Sequence, residues 1–150
     1  THTGGEIDNK TTRFLDLWEK DKKYTVEAFK EFSEKIEQRK NHLRNFLVNL
    51  KQDGNTIYAY GAPAKGNTLL NYFNIDHSLI DKAVEINDMK IGNYLPGSHI
   101  PITRECEDDL PDYYLLLSHN FEEEIIKRNK DIIAGGVKFI VPFPEIKVVG

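Results

Sequence analysis

The sequence predicts an α/β domain with a mostly parallel sheet, preceded by a long N-terminal helix. Three observations carry that expectation. Short apolar runs rich in strand formers recur at residues 56–60, 82–87, 112–117 and 138–142. Helical patterns separate most of them, and strand–helix alternation argues for parallel strands joined by right-handed crossovers. The run Tyr113-Tyr114-Leu115-Leu116-Leu117 is continuously apolar, as expected for a strand buried on both faces.

Composition narrows the class. A chain of 150 residues can bury one core, and 39% hydrophobic with 29% charged residues describes a soluble globular chain. The net charge of −4 supplies no basic field for nucleic acid. No apolar run is long enough to span a membrane, and the start carries no signal-peptide pattern. Neither nucleic acid nor a membrane is therefore expected as a partner. The single cysteine, Cys106, excludes an internal disulfide and a Cys-rich metal site, and fits a reducing, cytoplasmic compartment. Its neighbours Glu105, Glu107, Asp108 and Asp109 argue against a nucleophilic role.

Residues 1–24 read as a flexible polar lead. Gly4-Gly5 suggests a piece of something longer or a tag remnant, and Phe14, Leu15, Leu17 and Trp18 allow one short amphipathic helix. Residues 25–150 form the domain, with a long helix over 25–52 and an α/β core over 55–145. Thr25 is the expected N-cap, with Glu27 in the first turn. Phe29, Ile36, Leu43 and Leu50 recur every seven residues; Phe32 and Phe46 follow the first and third by three, and Arg39 takes the matching slot between. The stripe packs either on the domain's own core or on a partner domain or second copy. Asp53-Gly54-Asn55 ends the helix.

The central feature is the turn after Tyr60, Gly61-Ala62-Pro63-Ala64-Lys65-Gly66-Asn67, between a strand and a helix start. Gly61 lets a ligand approach the main chain, and Pro63 suits a first helical turn. The free N–H groups there carry the positive end of the helix dipole, a place for an anion such as phosphate, with Lys65 adding a charge. The spacing is neither Gly-x-Gly-x-x-Gly nor a Walker A loop. A plain strand-to-helix turn that needs glycine for geometry explains the same residues.

A second strand over 82–87 ends at Asn87-Asp88, where nucleotide-binding folds often keep a ribose-facing polar group. A Pro96-Gly97 loop follows, then an edge-strand piece at 100–102 held to the edge by Pro101. The strand over 112–117 leads to Ser118-His119-Asn120 and a helix over 121–128, acidic at its start and basic at its end. Gly135-Gly136 turns the chain into a last strand at 138–142. Ligands of open parallel sheets sit beyond the carboxyl ends of the strands. The loops there carry Lys65, Asn67, Asn87, His99, His119 and Asn120 as candidate cleft residues. Taken singly, His99 and His119 suit ordinary loop histidines, and Asn87 and Asn120 suit turns or caps. Two histidines without a third ligand make no metal site, and no nucleophile–base spacing stands out, so no catalytic residue is assigned.

The segment Tyr60-Gly61-Ala62-Pro63-Ala64-Lys65-Gly66-Asn67-Thr68-Leu69-Leu70-Asn71-Tyr72 resembles the signature of the C-terminal domain of sugar C-methyltransferases. Matches continue at Asn87, at Gly92 with residues 94–102, at Pro111-Asp112-Tyr113, at Asn120-Phe121 with Glu124-Ile125-Ile126, and over 136–142, so the resemblance covers residues 25–145. It implies a Rossmann-like three-layer domain from an S-adenosylmethionine-dependent enzyme that methylates a nucleotide-linked deoxysugar. It also implies a zinc-bearing N-terminal segment and a central methyltransferase domain that binds the cofactor and holds the general base; neither is represented here. S-adenosylmethionine is thus expected in the missing domain, and no cofactor in this chain. The cleft argument and the resemblance together give Tyr60, Gly61, Ala62, Pro63, Ala64, Lys65, Gly66, Asn67, Asn87, Gly97, His99, His119 and Asn120 as substrate-binding candidates. The chain departs at Glu85-Ile86-Asn87-Asp88, where the family commonly has an Asp-Arg-Asn-Pro-like run, and so loses an arginine contact to phosphate or carboxylate. The expected partners are a nucleotide sugar and a methyltransferase domain of the same polypeptide. The alternatives are a stand-alone binding module for a nucleotide sugar or other phosphorylated ligand, and a structural docking domain.

Overall fold

The computed structural model describes residues 25–150; the expected polar lead with its short helix, residues 1–24, lies outside them. The chain divides into two compact units, residues 1–38 and 39–150. The first helix among the described residues, α1 (Val26–Gln52), has residues in both. In the first unit the expected cap is present, with the Ala28 amide donating to Thr25 Oγ1 at 3.1 Å. Phe29 is 59% exposed there, and Val26 and Phe32 are similarly open. In the second unit Leu43, Leu47 and Leu50 are buried. Arg44 Nε donates to the Asn74 carbonyl, and Lys40 lies 5.2 Å from the Tyr72 ring centre. The heptad stripe is thus buried at Leu43 and Leu50 and open at Phe29.

Among the described residues, six strands form one sheet: β1 (Ile57–Tyr60), β2 (Lys82–Glu85), β3 (Ile102–Arg104), β4 (Tyr113–Leu116), β5 (Lys138–Val141) and β6 (Lys147–Val149). Their order is β3-β2-β1-β4-β5-β6. The first five are parallel, with Ala59 opposite Ala83 on one side and Leu115 on the other. Only β6 is antiparallel, paired with β5. Three further α-helices lie among the described residues, α2 (Ala64–Tyr72), α3 (Glu122–Arg128) and α4 (Lys130–Ala134). The crossovers β1→β2 and β4→β5 run in opposite directions along the sheet. Right-handedness therefore puts α2 on one face and α3 with α4 on the other. The result is a Rossmann-like α/β fold with a mostly parallel sheet.

On the α3–α4 face, Tyr58, Tyr60, Val84, Tyr114, Leu116, Phe139 and Val141 form a buried cluster, with Ile125, Ile126, Ile132 and Ile133 packed against it. Tyr60 meets Tyr114 edge-on with ring centres 5.2 Å apart, and Tyr114 lies 5.1 Å from Phe139. Strand alternation turns Ile57, Ala59, Ala83, Leu115 and Ile140 to the opposite face. At the amino edge of the sheet, Asp81 accepts the Ile57 amide and the Lys51 ammonium, both at 2.8 Å. Asp112 accepts the Thr56 amide at 2.7 Å and its hydroxyl at 2.8 Å. These bonds hold the Asp112 carboxyl below the usual range.

The structure corrects several element boundaries. The strand expected over 82–87 stops at Glu85, whose side chain binds the next two amides. The edge strand expected at 100–102 runs Ile102–Arg104 instead. Pro101 stands at its entry, offering its carbonyl to the Ala83 amide at 2.8 Å. Phe121 closes a 3-10 turn, His119–Phe121, and the helix starts at Glu122. The separate helix α4 was not anticipated. Nor is residues 138–142 the last strand: β6 follows, beyond the expected core limit of 145. Its residues are mostly exposed and owe their extended form to pairing with the open edge of β5. Among the described residues, no helix is long and apolar enough to cross a membrane.

Candidate functional site

The strand order reverses between β1 and β4, which connect onward in opposite directions, so a crevice opens at their carboxyl ends. Gly61 stands there with φ +82°, its amide donating to the Val84 carbonyl at 2.9 Å. A Cβ on it would lie 2.9 Å from Ser118 Oγ, so the two loops approach as closely as glycine permits. Pro63 is extended and carries no N–H; α2 follows. The Asn67 amide is the first to find a carbonyl acceptor, that of Pro63 at 3.0 Å, and no side chain caps the helix. The amides of Ala64, Lys65 and Gly66 thus precede the hydrogen-bond ladder. Gly66 is buried, and a Cβ there would fall 2.7 Å from Leu117 Cβ, which sets how closely α2 packs at the end of β4.

Glu85 was not among the candidates. Its carboxylate accepts the amides of Ala62 at 3.2 Å, Ile86 at 3.0 Å and Asn87 at 3.3 Å, and pairs with Lys90 Nζ at 3.1 Å. Lys90 also donates to the Ala62 carbonyl at 3.0 Å. Burial pushes the Glu85 carboxyl up, but the bonds from Lys90, Ile86 and Asn87 outweigh it and hold it below the usual range. The Ala62 amide of the turn therefore already has an anion, from within the chain. The pattern departure at residues 85–88 marked this position, but an acidic residue ending a strand reads equally as solvent-facing.

The structure divides the remaining candidates among three concavities. Tyr60 and Gly61 line a crevice of about 270 Å³ with Glu85, Glu105, Ser118 and Arg128. The Tyr60 hydroxyl donates to Glu105 at 3.0 Å and accepts from Asn129 Nδ2 at 3.1 Å, so its polar end is committed to the domain. Glu124 also lines this crevice, and Arg128 pairs with Glu105. Carboxylates predominate, which suits hydroxyl donors and disfavours phosphate. Ala62, Pro63, Ala64 and Asn67 line a second cavity of about 500 Å³, faced by Met89, Lys90, Asn93, Tyr94 and Pro96. Asn67 Oδ1 is buried without a hydrogen-bond partner. His119 and Asn120 line a shallow depression with Phe121, residues 122–124 and Lys127. His119 Nδ1 is also buried and unpartnered, its ring 5.7 Å from that of Phe143.

Lys65, Gly66, Asn87, Gly97 and His99 line none of these three. Lys65 is exposed on the first turn of α2. Asn87 makes a turn, its Oδ1 accepting the Met89 amide at 3.0 Å. Gly97, at φ +81°, lies so close to Asn71 that a Cβ would stand 2.0 Å from Asn71 Oδ1. His99 takes a left-handed φ of 56° and donates its amide to Leu95. Met89, Lys90 and Ser118 lie on loops expected at the carboxyl ends of the strands, but they and Tyr94 were not among the candidates because nothing in their residue types distinguishes them from ordinary loop residues. No group of three or more His, Cys, Asp or Glu among the described residues is placed to hold a metal.

Comparison with known proteins adds two findings. A family model described as the C-methyltransferase C-terminal domain matches residues 2–144. The chain is also 37% identical, over 123 residues, to "C-methyltransferase NovU" of Streptomyces niveus. That match covers 81% of this chain but 29% of the relative's length.

Proposed function

The chain belongs to the C-methyltransferase C-terminal domain family, and from that premise we propose that it is the substrate-binding part of an S-adenosylmethionine-dependent methyltransferase acting on a nucleotide-linked deoxysugar. One observation carries the reading. The uncapped amides of Ala64, Lys65 and Gly66 open α2 at the carboxyl edge of the sheet, beside the strand-order reversal. In this reading those amides and Lys65 receive the diphosphate. The Ala62 amide takes no part, since Glu85 holds it. In the crevice beside Gly61 and Ser118, Glu124 offers an acceptor to sugar hydroxyls.

The residues here do not fit S-adenosylmethionine itself. Glu85 ends β2, where a nucleotide fold keeps a carboxylate for the ribose, yet three amides and Lys90 engage it. The cofactor and the methyl-transfer chemistry are therefore assigned to a methyltransferase domain outside this chain. Val26, Phe29 and Phe32, exposed on α1, offer that domain an apolar face. The reading places the protein in the cytoplasm, where exposed Cys106 stays reduced.

NMR titration of the chain with deoxythymidine diphosphate-glucose tests the proposal. Amide shifts should cluster on residues 61–67 and 85–97. Shifts confined to other residues, or no binding at millimolar ligand, would refute it.

A further inference from the structure

We propose that the cavity between the β1–α2 turn and the loop after β2 is a nucleobase subsite, with Tyr94 as its stacking face. The inference rests on the nucleoside-diphosphate reading above and names the part of the ligand that this cavity takes.

The walls are unequal in chemistry. One is the turn itself, with Ala62, Pro63 and Asn67; the other carries Met89, Tyr94 and Pro96. Met89 is 87% exposed and Tyr94 64%, two large side chains left in water at the rim of a concavity of about 500 Å³. A phosphate has no use for such a wall, whereas the flat face of a base stacks on an aromatic ring. Asn67 lines the cavity, and its buried Oδ1 lacks a partner. A buried acceptor left unpaired is rare, and a ring N–H or exocyclic amino group of a base supplies the missing donor.

The aromatic wall is held in place before any ligand arrives. The Leu95 amide donates to Ile100 at 2.8 Å, the Gly92 amide to Ile102 at 2.9 Å, and the Ile102 amide to Asn93 at 2.8 Å. Asn93 Nδ2 reaches back to the Met89 and Lys90 carbonyls, both at 3.2 Å. Asn71 Nδ2 ties the Pro96 carbonyl to α2 at 2.9 Å, so both walls are fixed to the same helix. Preorganisation of this kind lowers the ordering cost of binding. Tyr94 therefore presents its ring from a braced loop.

A nucleobase could come from a nucleoside diphosphate or from an adenosyl cofactor. The uncapped amides of Ala64, Lys65 and Gly66 open the helix that bears Asn67, and they suit a ligand whose base is followed by phosphates. The adenosyl cofactor has none.

Saturation-transfer NMR on the whole chain separates these cases, with deoxythymidine diphosphate-glucose, thymidine and S-adenosylhomocysteine as probes. The thymine H6 and methyl protons should receive the strongest transfer. Tyr94→Ala should weaken deoxythymidine diphosphate-glucose about tenfold, as loss of one stacked base does, while Tyr94→Phe should retain affinity. Because Tyr94 is exposed, the amide spectrum of Tyr94→Ala should otherwise match the parent. If Tyr94→Ala binds as tightly as the parent, the base subsite is wrong and the nucleotide-sugar reading stands. If deoxythymidine diphosphate-glucose shows no transfer at millimolar concentration, both fall. If S-adenosylhomocysteine binds and displaces it, the cavity belongs to an adenosine group and the assignment made here is overturned.

Discussion

The two edges of the sheet are built from similar residues and used differently. At the amino edge, Asp81 and Asp112 spend their oxygens on the Ile57 and Thr56 amides, the Thr56 hydroxyl and Lys51. At the carboxyl edge, Glu85 is likewise engaged, but around it Asn67 Oδ1 and His119 Nδ1 lie buried and unpaired. Tyr94, Met89, Ile86 and Phe121 are exposed there. A protein minimising its own free energy would pair or cover such groups. Carboxylates thus close one edge for stability, while the other is held rigid and left open.

The largest effect should come from Gly97→Val at the open edge. A left-handed φ and a Cβ overlapping Asn71 act together there, and strain and overpacking each cost about 1–3 kcal/mol. Urea unfolding should show a loss near the sum, and a loss below about 1 kcal/mol would mean that the loop is not rigid. Next comes Asp81→Ala at the closed edge. It strips the Ile57 amide of its partner, at a cost of about 1–3 kcal/mol. The same denaturation curve reads the cost, and ligand affinity should not change.

Acid should act on both edges. Asp112 and Glu85 have folded-state values below their ordinary 3.8 and 4.5, so each contributes stability that is present above the ordinary value and lost as pH falls through the lower folded one. Urea midpoints should therefore decline below about pH 4.5. Asp112→Asn and Glu85→Gln should each flatten that decline, and an unchanged acid limb in either variant would remove its carboxylate from the account. The smallest effect on stability belongs to Lys65→Ala, within about 0.5 kcal/mol for an exposed side chain. It should nonetheless weaken deoxythymidine diphosphate-glucose severalfold in low salt, and the difference should shrink as salt rises. Equal affinity at low salt would show that Lys65 does not face the ligand.

Much of the fold is legible in local patterns. The continuous run at Tyr114-Leu115-Leu116 announced a central parallel strand, and Thr25 marked the start of α1, because burial on both faces and N-capping leave direct traces in residue type. β6 and α4 left weaker traces: one gains its form by pairing with an edge, and the other is a five-residue turn after Asn129.

At the candidate site, the turn is written in local residue chemistry. Gly61, Pro63 and the helix start are fixed by backbone chemistry that neighbouring residues express. Tertiary structure alone decided what surrounds it. Glu85, 23 residues after Ala62, occupies the Ala62 amide; Ser118, 57 after Gly61, abuts that glycine; and Tyr94 and Asn67 line one cavity. Those meetings depend on strand order and crossover hand, and long-range order of that kind has no period in the sequence to announce it.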